Sequence, residues 1–467
     1  MSKIEIGLNE KVHFVGIGGI GMSGLAMIMS QLGFKIQGSD QFYNKNFEML
    51  KKEKIKLYVG HSRKNISKAT ILIISSAIKN NNAEYQEAKK NKIPIYKRGE
   101  ALANIVSLMK NIVVAGSHGK TTTTSLIASI FSAAKLDPTV INGGIINSLK
   151  SSARLGKSGW SILESDESDG SFVKVPATYS IITNIDREHM DFYKNMNNLF
   201  NEFKIFIEKT PSFGKSFICL DNLNNREIIK KIKVRNFLTY GESNKSNFHI
   251  KNIIQNPKYS FFDLLINVPG KNKKTINKIK IPLIGKHNIR NATAAFAVAS
   301  SIGLSKKIIK KGLLNFTGVQ RRFNELFKIR ETLFFDDYAH HPTEIVEVLN
   351  SVKEVYKNKE IIVIFQPHRI SRVNDLRREF SSSFKNCDSL VLCPIYSAGE
   401  KIKLKFDYKK FAKEIIKNSK VKLFMVRGEE DLYKFVNQSI YGNKVVIGMG
   451  AGSISNWMRN LKNKISN

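Results

Sequence analysis

The residues with the clearest chemical potential form a glycine-rich turn that follows the apolar run at 112–115. The turn consists of Gly116, Ser117, His118, Gly119, Lys120, Thr121 and Thr122. Backbone N–H groups of such a turn can hold phosphate oxygens, a lysine can reach the β- and γ-phosphates, and a threonine hydroxyl can bind Mg²⁺. Val114 stands where the usual phosphate-loop pattern has its first glycine. This turn, hereafter the phosphate turn, nevertheless predicts a nucleoside triphosphate site.

A cluster of carboxylates follows another apolar run, at 161–163. Glu164, Asp166, Glu167 and Asp169 are so close in sequence that they repel one another unless cations lie nearby. Oxygen ligands of this kind suit Mg²⁺. The alternative is a solvated acidic loop, and the neighbouring phosphate turn makes the Mg²⁺ site the better interpretation.

His189 and Lys204 could extend that site. His189 follows the apolar run at 180–183 and could bind a second metal ion, although a lone histidine is more often structural. Lys204 could carry a CO₂-derived carbamate that bridges two metal ions. Asn288 and Asn291 share one face of a predicted helix, where they could cap it, contact an adenine edge or support the phosphate turn. Arg322 could reach a transferring phosphoryl group.

Another glycine-rich turn lies near the start of the chain, after the run at 12–15. Gly16, Gly18 and Gly21 fit the pattern G-x-G-x-x-G, and Asp40 follows about 20 residues later. Such a turn can hold a diphosphate at a helix N-terminus, and it would equally suit NAD. A turn that only packs a helix on a strand is the third possibility.

Two strings in the last third of the chain combine histidine, arginine and acidic residues. Asp337 and His341 follow the run at 333–335, whereas His368, Arg369 and Arg372 follow the run at 361–365. Clustered histidine and arginine side chains at the ends of strands suit carboxylate recognition.

The elements that must position these residues alternate along the whole chain. Short β-branched runs are followed by helix-compatible segments, which predicts an α/β protein with mostly parallel sheets. Ligands of such sheets bind beyond the carboxyl ends of the strands, where all these motifs fall. We expect three domains, at 1–107, 108–317 and 318–467, with small antiparallel strands within 248–281.

Composition narrows the class of protein. The 467 residues carry a net charge of +36, and 42% of them are apolar, which excludes a wholly disordered chain. The lysines are scattered, so a solvated basic surface is favoured over a nucleic-acid arm. Three cysteines without a C-x-x-C pair, and no long apolar stretch, predict a cytoplasmic protein without a membrane segment.

In order and content, these motifs closely resemble the Mur ligases of bacterial cell-wall synthesis. The resemblance covers nearly the whole chain and implies a Rossmann-like UDP-binding domain, a central P-loop-type ATPase domain and a C-terminal Rossmann-like domain. It implies an ATP-dependent ligase that joins L-alanine to the lactoyl carboxylate of UDP-N-acetylmuramate through an acyl phosphate, for peptidoglycan synthesis. The implied partners are these substrates with Mg²⁺ or Mn²⁺, in a monomer or weak dimer, without nucleic acid or membrane.

The resemblance also implies roles for individual residues. The catalytic residues would be Lys120, Glu164, His189, Arg322 and Asp337, with Thr121, Glu164 and His189 binding metal. ATP would be bound by residues 116–122 together with His287, Asn288 and Asn291. The sugar nucleotide would be held by Gly16, Gly18, Gly19, Ile20, Gly21, Asp40 and Ser76. His341, His368, Arg369 and Arg372 would lie at the amino-acid and muramoyl end.

Some residues depart from the family pattern. Ser117 replaces a threonine, Ile370 stands where an aromatic residue is common, and Ser453 replaces an aspartate. The remaining alternatives are a sister ligase that adds a preformed peptide, an NAD-dependent dehydrogenase and a nucleic-acid-stimulated NTPase. Each would use only part of the motif set, except the sister ligase.

Overall fold

The computed structural model describes residues 10–400, 406–439 and 441–465. They form three β-sheets within two compact units. Of the described residues, the first unit holds those up to 252 together with 262–281 and 290–317, and the second holds 253–261, 282–289 and those from 318 onward. The predicted α/β class with mostly parallel sheets is confirmed. The three domain boundaries stay a prediction.

The first sheet is a five-stranded parallel sheet in the order β3-β2-β1-β4-β5. Its strands are β1 (Lys11–Val15), β2 (Lys35–Asp40), β3 (Lys56–Val59), β4 (Ile71–Ile74) and β5 (Ile95–Lys97). The helices of this region are α1 (Ile20–Gln31), α2 (Lys45–Lys52), α3 (Ala83–Lys90) and α4 (Arg98–Val106). The strand order reverses at β1 and β4, and a crevice for ligands forms beyond such a point.

The second sheet has the strand order β15-β14-β13-β12-β11-β10-β6-β9-β7-β8. Its strands are β6 (Lys110–Ala115), β7 (Thr139–Ile146), β8 (Ser151–Arg154), β9 (Trp160–Glu164), β10 (Tyr179–Ile182), β11 (Lys215–Cys219), β12 (Phe237–Gly241), β13 (Phe248–Gln255), β14 (Ser260–Ile266) and β15 (Lys274–Ile281). Associated helices are α5 (Lys120–Ala133), α6 (Met190–Tyr193), α7 (Met196–Glu208), α8 (Leu223–Lys231), α9 (Lys286–Ser301) and α10 (Lys306–Leu314). Strands β9, β6 and β10 run parallel, so their carboxyl ends share one edge.

The third sheet lies in the second unit and has the order β16-β17-β21-β18-β19-β20. Its strands are β16 (Asn324–Ile329), β17 (Thr332–Asp337), β18 (Glu360–Phe365), β19 (Ser389–Leu392), β20 (Lys422–Met425) and β21 (Lys444–Met449). The helices are α11 (Pro342–Val355), α12 (Ile370–Asp375), α13 (Arg377–Ser381), α14 (Tyr408–Ser419), α15 (Glu429–Ser439) and α16 (Ile454–Ile465). Only β16 pairs antiparallel, with β17.

Continuous apolar strands form the cores, because a parallel sheet covered by helices is buried on both faces. Val113, Ile181 and Phe334, from the strands β6, β10 and β17, are completely buried. Among the described residues, no helix has the length and apolar character needed to cross a membrane. Because the strands are buried along their length, the polar motifs lie at the strand ends, where the backbone leaves the core.

Candidate active site

The phosphate turn joins β6 to α5 and needs glycine at both ends. Gly116 has a φ of 129° and Gly119 a φ of 81°, which other residues rarely adopt. A Cβ atom on Gly116 would lie 2.2 Å from Thr183 Oγ1, and one on Gly119 would lie 2.6 Å from Asn291 Oδ1. No side chain caps the N-terminus of α5. The helix therefore presents backbone N–H groups that can bind an anion.

The side chain of Lys120 is held by this turn and by a buried carboxylate. Its Nζ donates to Gly116 O at 2.5 Å and lies 2.9 Å from Oε2 of Glu167. Burial alone would lower the pKa of Lys120, but the charges of Glu167, Asp166 and Glu164 raise it above its usual value. Lys120 is therefore a permanent cation that Glu167 and the phosphate turn hold in place.

Thr121 and Glu164 meet across the same edge of the sheet, as the sequence predicts. The hydroxyl of Thr121 donates to Glu164 Oε1 at 3.1 Å, and the Gly143 N–H donates to Glu164 Oε2 at 2.6 Å. A hydroxyl and a carboxylate in contact form a suitable pair of ligands for Mg²⁺ beside a triphosphate.

His189 joins two other carboxylates. Its side chain, Glu167 and Glu188 place one ligand atom each within 4.8 Å of one another. Burial raises the pKa of Glu167, so a cation there would relieve an unfavourable buried charge. The site therefore fits a divalent cation. Sequence reasoning did not single out Glu188, although it lies next to His189.

The end of β10 holds the phosphate turn in shape, which sequence reasoning also missed. The Ser117 N–H donates to Asn184 O at 3.0 Å, and the His118 N–H donates to Asn184 Oδ1 at 2.8 Å. The His118 ring lies 3.0 Å from the carboxylate of Asp186. The only sequence signal for Asn184 and Asp186 was their position directly after a buried strand.

Other predicted ATP-site residues lie on or near α9. Asn291 belongs to the first unit, where its side chain adjoins Gly119. His287 and Asn288 belong to the second unit, where Asn288 Nδ2 donates to Ile284 O at 2.8 Å. Lys204 lies on α7, and its carbamate stays a prediction.

The leading N–H groups of the first glycine turn form hydrogen bonds within the protein. Those of Gly16 and Ile17 donate to Ser39 O, and that of Gly18 donates to Asp40 Oδ2 at 2.8 Å. Gly16 and Gly18, with Asp40, therefore shape the turn from within, because β2 already accepts their hydrogen bonds. The donors left for a diphosphate are those at the start of α1, which has no side-chain cap at Gly19.

Three more predicted sugar-nucleotide residues lie at this end of the first sheet. Ile20 and Gly21 are the first residues of α1, and Ile20 is 42% exposed. Ser76 is exposed and follows β4, which pairs with β1. The turn after β1 and the residue after β4 thus lie at the same end of the sheet, beside the predicted crevice.

In the second unit, Asp337 forms hydrogen bonds with the backbone around it. Its carboxylate accepts hydrogen bonds from the N–H groups of Phe323 and Ala339, both at 2.7 Å. Burial raises the pKa of Asp337 to about 6. The chain before β16 has positive φ at Arg321 and Phe323, on either side of Arg322. Asp337 therefore holds the strained segment that carries Arg322, and its predicted catalytic role stays a prediction.

His340 and His341 have different roles. His341 accepts a hydrogen bond from the Thr343 N–H and caps α11, so its predicted place at the amino-acid end has no support from this contact. The His340 ring instead lies 5.8 Å from the ring of His368, between centroids. The place of His341 at the amino-acid end stays a prediction.

His368 lies in a cationic cluster at the end of β18. Arg372 Nη1 lies 3.3 Å from His368 Nδ1, and the ring of Tyr396 stacks on His368. Burial, helped by the charges of His340 and Arg372, lowers the pKa of His368 to about 3. If Nδ1 accepts from Arg372, the ring proton is on Nε2, and the pair presents donors to a carboxylate. Arg369 begins this segment with a φ of 66°.

We expect His368 to stay neutral between pH 5 and 8. A histidine with a lowered pKa binds fewer protons when folded, so its contribution to stability is lost as the pH falls from about 6.5 toward 3. Histidine ring NMR signals, assigned by their loss in His368→Gln, measure this. The signal of His61, whose pKa is raised by its hydrogen bond to Glu84, serves as the titrating control. A midpoint for His368 near 6.5 would contradict the expectation.

Two departures from the family pattern have local explanations. Ile370 is buried at the start of α12. Ser453 Oγ accepts a hydrogen bond from Gln366 Nε2 at 3.0 Å, just before α16. Both side chains are satisfied where they stand.

Comparisons with known proteins cover almost the whole chain. Residues 11–110 match the catalytic domain of the Mur ligase family, residues 114–299 match the Mur ligase middle domain, and residues 321–452 match its glutamate ligase domain. A UDP-N-acetylmuramate–L-alanine ligase of Pelagibacter ubique is 66% identical over 98% of this chain and 99% of its own length. The Bartonella bacilliformis ligase of the same name is 40% identical over 99% and 97%.

A solved structure shows the same architecture. The UDP-N-acetylmuramate–alanine ligase of Thermotoga maritima superposes with a TM-score of 0.81. It is 27% identical in sequence, and the match covers 98% of this chain and 99% of the Thermotoga chain.

Proposed function

This chain belongs to the Mur ligase family, and from that membership we infer that it is an ATP-dependent ligase that joins L-alanine to UDP-N-acetylmuramate. The reaction is a step in the synthesis of peptidoglycan precursors. The observation that carries this conclusion is the 66% identity to a UDP-N-acetylmuramate–L-alanine ligase over nearly the full length of both chains. A dehydrogenase or a polynucleotide-stimulated NTPase would leave most of the shared motifs unused.

The chemistry needs no nucleophile from the protein. The lactoyl carboxylate attacks the γ-phosphate of ATP, which gives an acyl phosphate and ADP, and the amine of L-alanine then displaces inorganic phosphate. The protein's work is to position these groups and to neutralise the charge that develops on the phosphoryl oxygens. We propose Lys120, whose Nζ is held at the phosphate turn, as a cation that does this work.

Mg²⁺, when bound, supplies charge neutralisation of the triphosphate. We propose Thr121 and Glu164 as one set of ligands and His189, with Glu167 and Glu188, as a second. The contact between Thr121 and Glu164, and the raised pKa of the buried Glu167, support this assignment. Asp337 is proposed as the residue that positions Arg322, the guanidinium for the transferring phosphoryl group.

We propose that the sugar nucleotide binds at the start of α1, beside Ser76, and that His368 and Arg372 receive the carboxylate of L-alanine. His340 and Arg369 complete that cluster. We further propose a cytoplasmic enzyme, because both nucleotide substrates are cytoplasmic, acting as a monomer or weak dimer without nucleic-acid or membrane partners. Its +36 charge would favour the capture of two polyanionic substrates at low salt.

Gly18→Val tests the sugar-nucleotide site. A Cβ atom at Gly18 would lie 2.4 Å from Asn44 Nδ2 and 2.9 Å from Asp40 Oδ2, so the variant must disturb the turn. We expect UDP to bind at least about tenfold more weakly by calorimetry, with ATP affinity unchanged. Gly159→Val is the matched control, since a Cβ atom there meets open space. Unchanged UDP binding by Gly18→Val would place the sugar nucleotide elsewhere.

The activity itself is tested by phosphate release from ATP with UDP-N-acetylmuramate and, in turn, L-alanine, glycine, L-serine or a preformed peptide. We expect turnover with L-alanine. Turnover with the peptide alone would identify the sister ligase instead.

A further inference from the structure

Arg98 lies between the first glycine turn and the acidic loop, residues 164–169, which follows β9 in the second sheet. The proposed mechanism does not use Arg98. This residue follows β5 directly and is the first residue of α4. Its side chain is only 19% exposed, although arginine is usually a surface residue. Both neighbouring segments belong to the first compact unit.

One contact of Arg98 is with the start of α1. A Cβ atom on Gly21 would lie 3.2 Å from Arg98 Nη1 and 3.5 Å from its Cζ atom. The absence of a side chain at Gly21 therefore gives the guanidinium its place. The same helix start carries the uncapped N–H groups proposed for the diphosphate, so a bound diphosphate would lie beside this cation.

The other contact of Arg98 is with the acidic loop. Its Nη2 atom lies 3.9 Å from Oδ2 of Asp166. The next residue, Glu167, pairs with Lys120. The acidic loop thus lies between a cation beside the sugar-nucleotide crevice and the cation of the phosphate turn.

The junction that holds Arg98 in place is tightly packed. A Cβ atom on Gly99 would lie 2.2 Å from Ser171 Oγ, and Glu100 pairs with Lys174 at 2.5 Å. Three consecutive residues at the start of α4 therefore contact the acidic loop and the 3₁₀ turn that follows it at Ser171–Lys174. This packing holds the backbone at Arg98 against the loop that carries Asp166.

We propose that Arg98 is a positioning residue that couples occupancy of the sugar-nucleotide crevice to the acidic loop of the ATP site, a proposal that rests on the function given above. A diphosphate beside Gly21 shares the charge of Arg98, which weakens its hold on Asp166. The loop then presents more negative charge, and Mg²⁺ with ATP binds more tightly. Because coupling between two sites is reciprocal, Mg²⁺ with ATP tightens sugar-nucleotide binding by the same factor.

Calorimetry on the full chain tests the coupling. A non-hydrolysable ATP analogue with Mg²⁺ is titrated in the presence and absence of UDP-N-acetylmuramate. We expect the sugar nucleotide to tighten the wild-type analogue affinity by about fivefold, the lower end of typical coupling. Arg98→Met and Asp166→Asn should each remove that effect. UDP alone should bind to Arg98→Met at least about tenfold more weakly than to the wild type. It should bind to Asp166→Asn at least as tightly as to the wild type.

Lys174→Met is the matched control, because it breaks a neighbouring ion pair at the same junction without touching Gly21. Lys174→Met should keep the coupling. Loss of the coupling in this variant would show that general packing carries the effect and would overturn the role of Arg98. Coupling that persists in Arg98→Met would also overturn it. Failure of the wild type to release phosphate with L-alanine and UDP-N-acetylmuramate would instead refute the proposed function.

Discussion

Replacing Lys120 by alanine is expected to lower the rate of ADP formation by about 10³-fold or more. Preorganised cations on a transferring phosphoryl group contribute factors of this size. Lys120 Nζ is held by two carbonyl oxygens of the phosphate turn, so its removal takes away a cation that the turn itself positions. ADP release with all three substrates present is the measurement.

The same substitution has a structural cost that must be separated from the catalytic one. Lys120→Ala leaves the buried carboxylate of Glu167 without its ion pair, and breaking a buried pair typically costs about 3 to 5 kcal/mol. We therefore expect a lower melting temperature for Lys120→Ala and its partial recovery in Lys120→Ala/Glu167→Gln, without recovery of activity. Lys230→Ala, which breaks an exposed pair with Glu227, is the matched control. Turnover within a few-fold of wild type would refute the assignment of the phosphate turn.

Glu164→Ala is the second substitution with a large expected effect. The Glu164 side chain accepts hydrogen bonds from the Thr121 hydroxyl and from the Gly143 N–H, so it joins α5 to β7 at the proposed metal site. We expect the rate to fall by about 10²-fold or more and the Mg²⁺ concentration for half-maximal rate to rise. Initial rates across a Mg²⁺ titration measure both quantities.

Glu164→Gln distinguishes metal binding from hydrogen bonding, because the amide keeps one acceptor for these donors but has no charge for a cation. It should retain the melting temperature of the wild type and still lose most activity. Glu227→Ala, on the exposed face of α8, serves as the carboxylate control. An unchanged Mg²⁺ dependence in Glu164→Ala would remove this residue from the metal site.

Much of the architecture follows from local pattern. The apolar runs that end in glycine turns became β1 and β6, and the segments after them became α1 and α5. Such strand–turn–helix units are set by residues that are neighbours in sequence: β-branched runs favour strands, and glycines allow positive φ at the turn. Uninterrupted apolar runs likewise predicted parallel sheets, because both faces of these strands must be buried.

The pairing of distant side chains was less accessible. Sequence reasoning identified both Lys120 and the carboxylates after β9, but not that Glu167, in preference to its neighbours, holds Lys120. It grouped His341 with His368, and the structure adds that the ring of His340 lies 5.8 Å from that of His368. The role of His341 stays a prediction. Adjacent side chains leave the backbone in directions set by the local backbone angles, and the sequence alone does not give those angles.

By itself, the sequence determined the α/β class, the order of the glycine turns and the kind of chemistry, because these depend on residue types over short spans. Only the tertiary structure decided that the turn after β1 uses its leading N–H groups on β2, that Asn184 holds the phosphate turn, and that Arg98 reaches Asp166. These contacts join residues from different strands. Strand order and helix packing set which strand ends meet, and that order is a property of the whole folded chain.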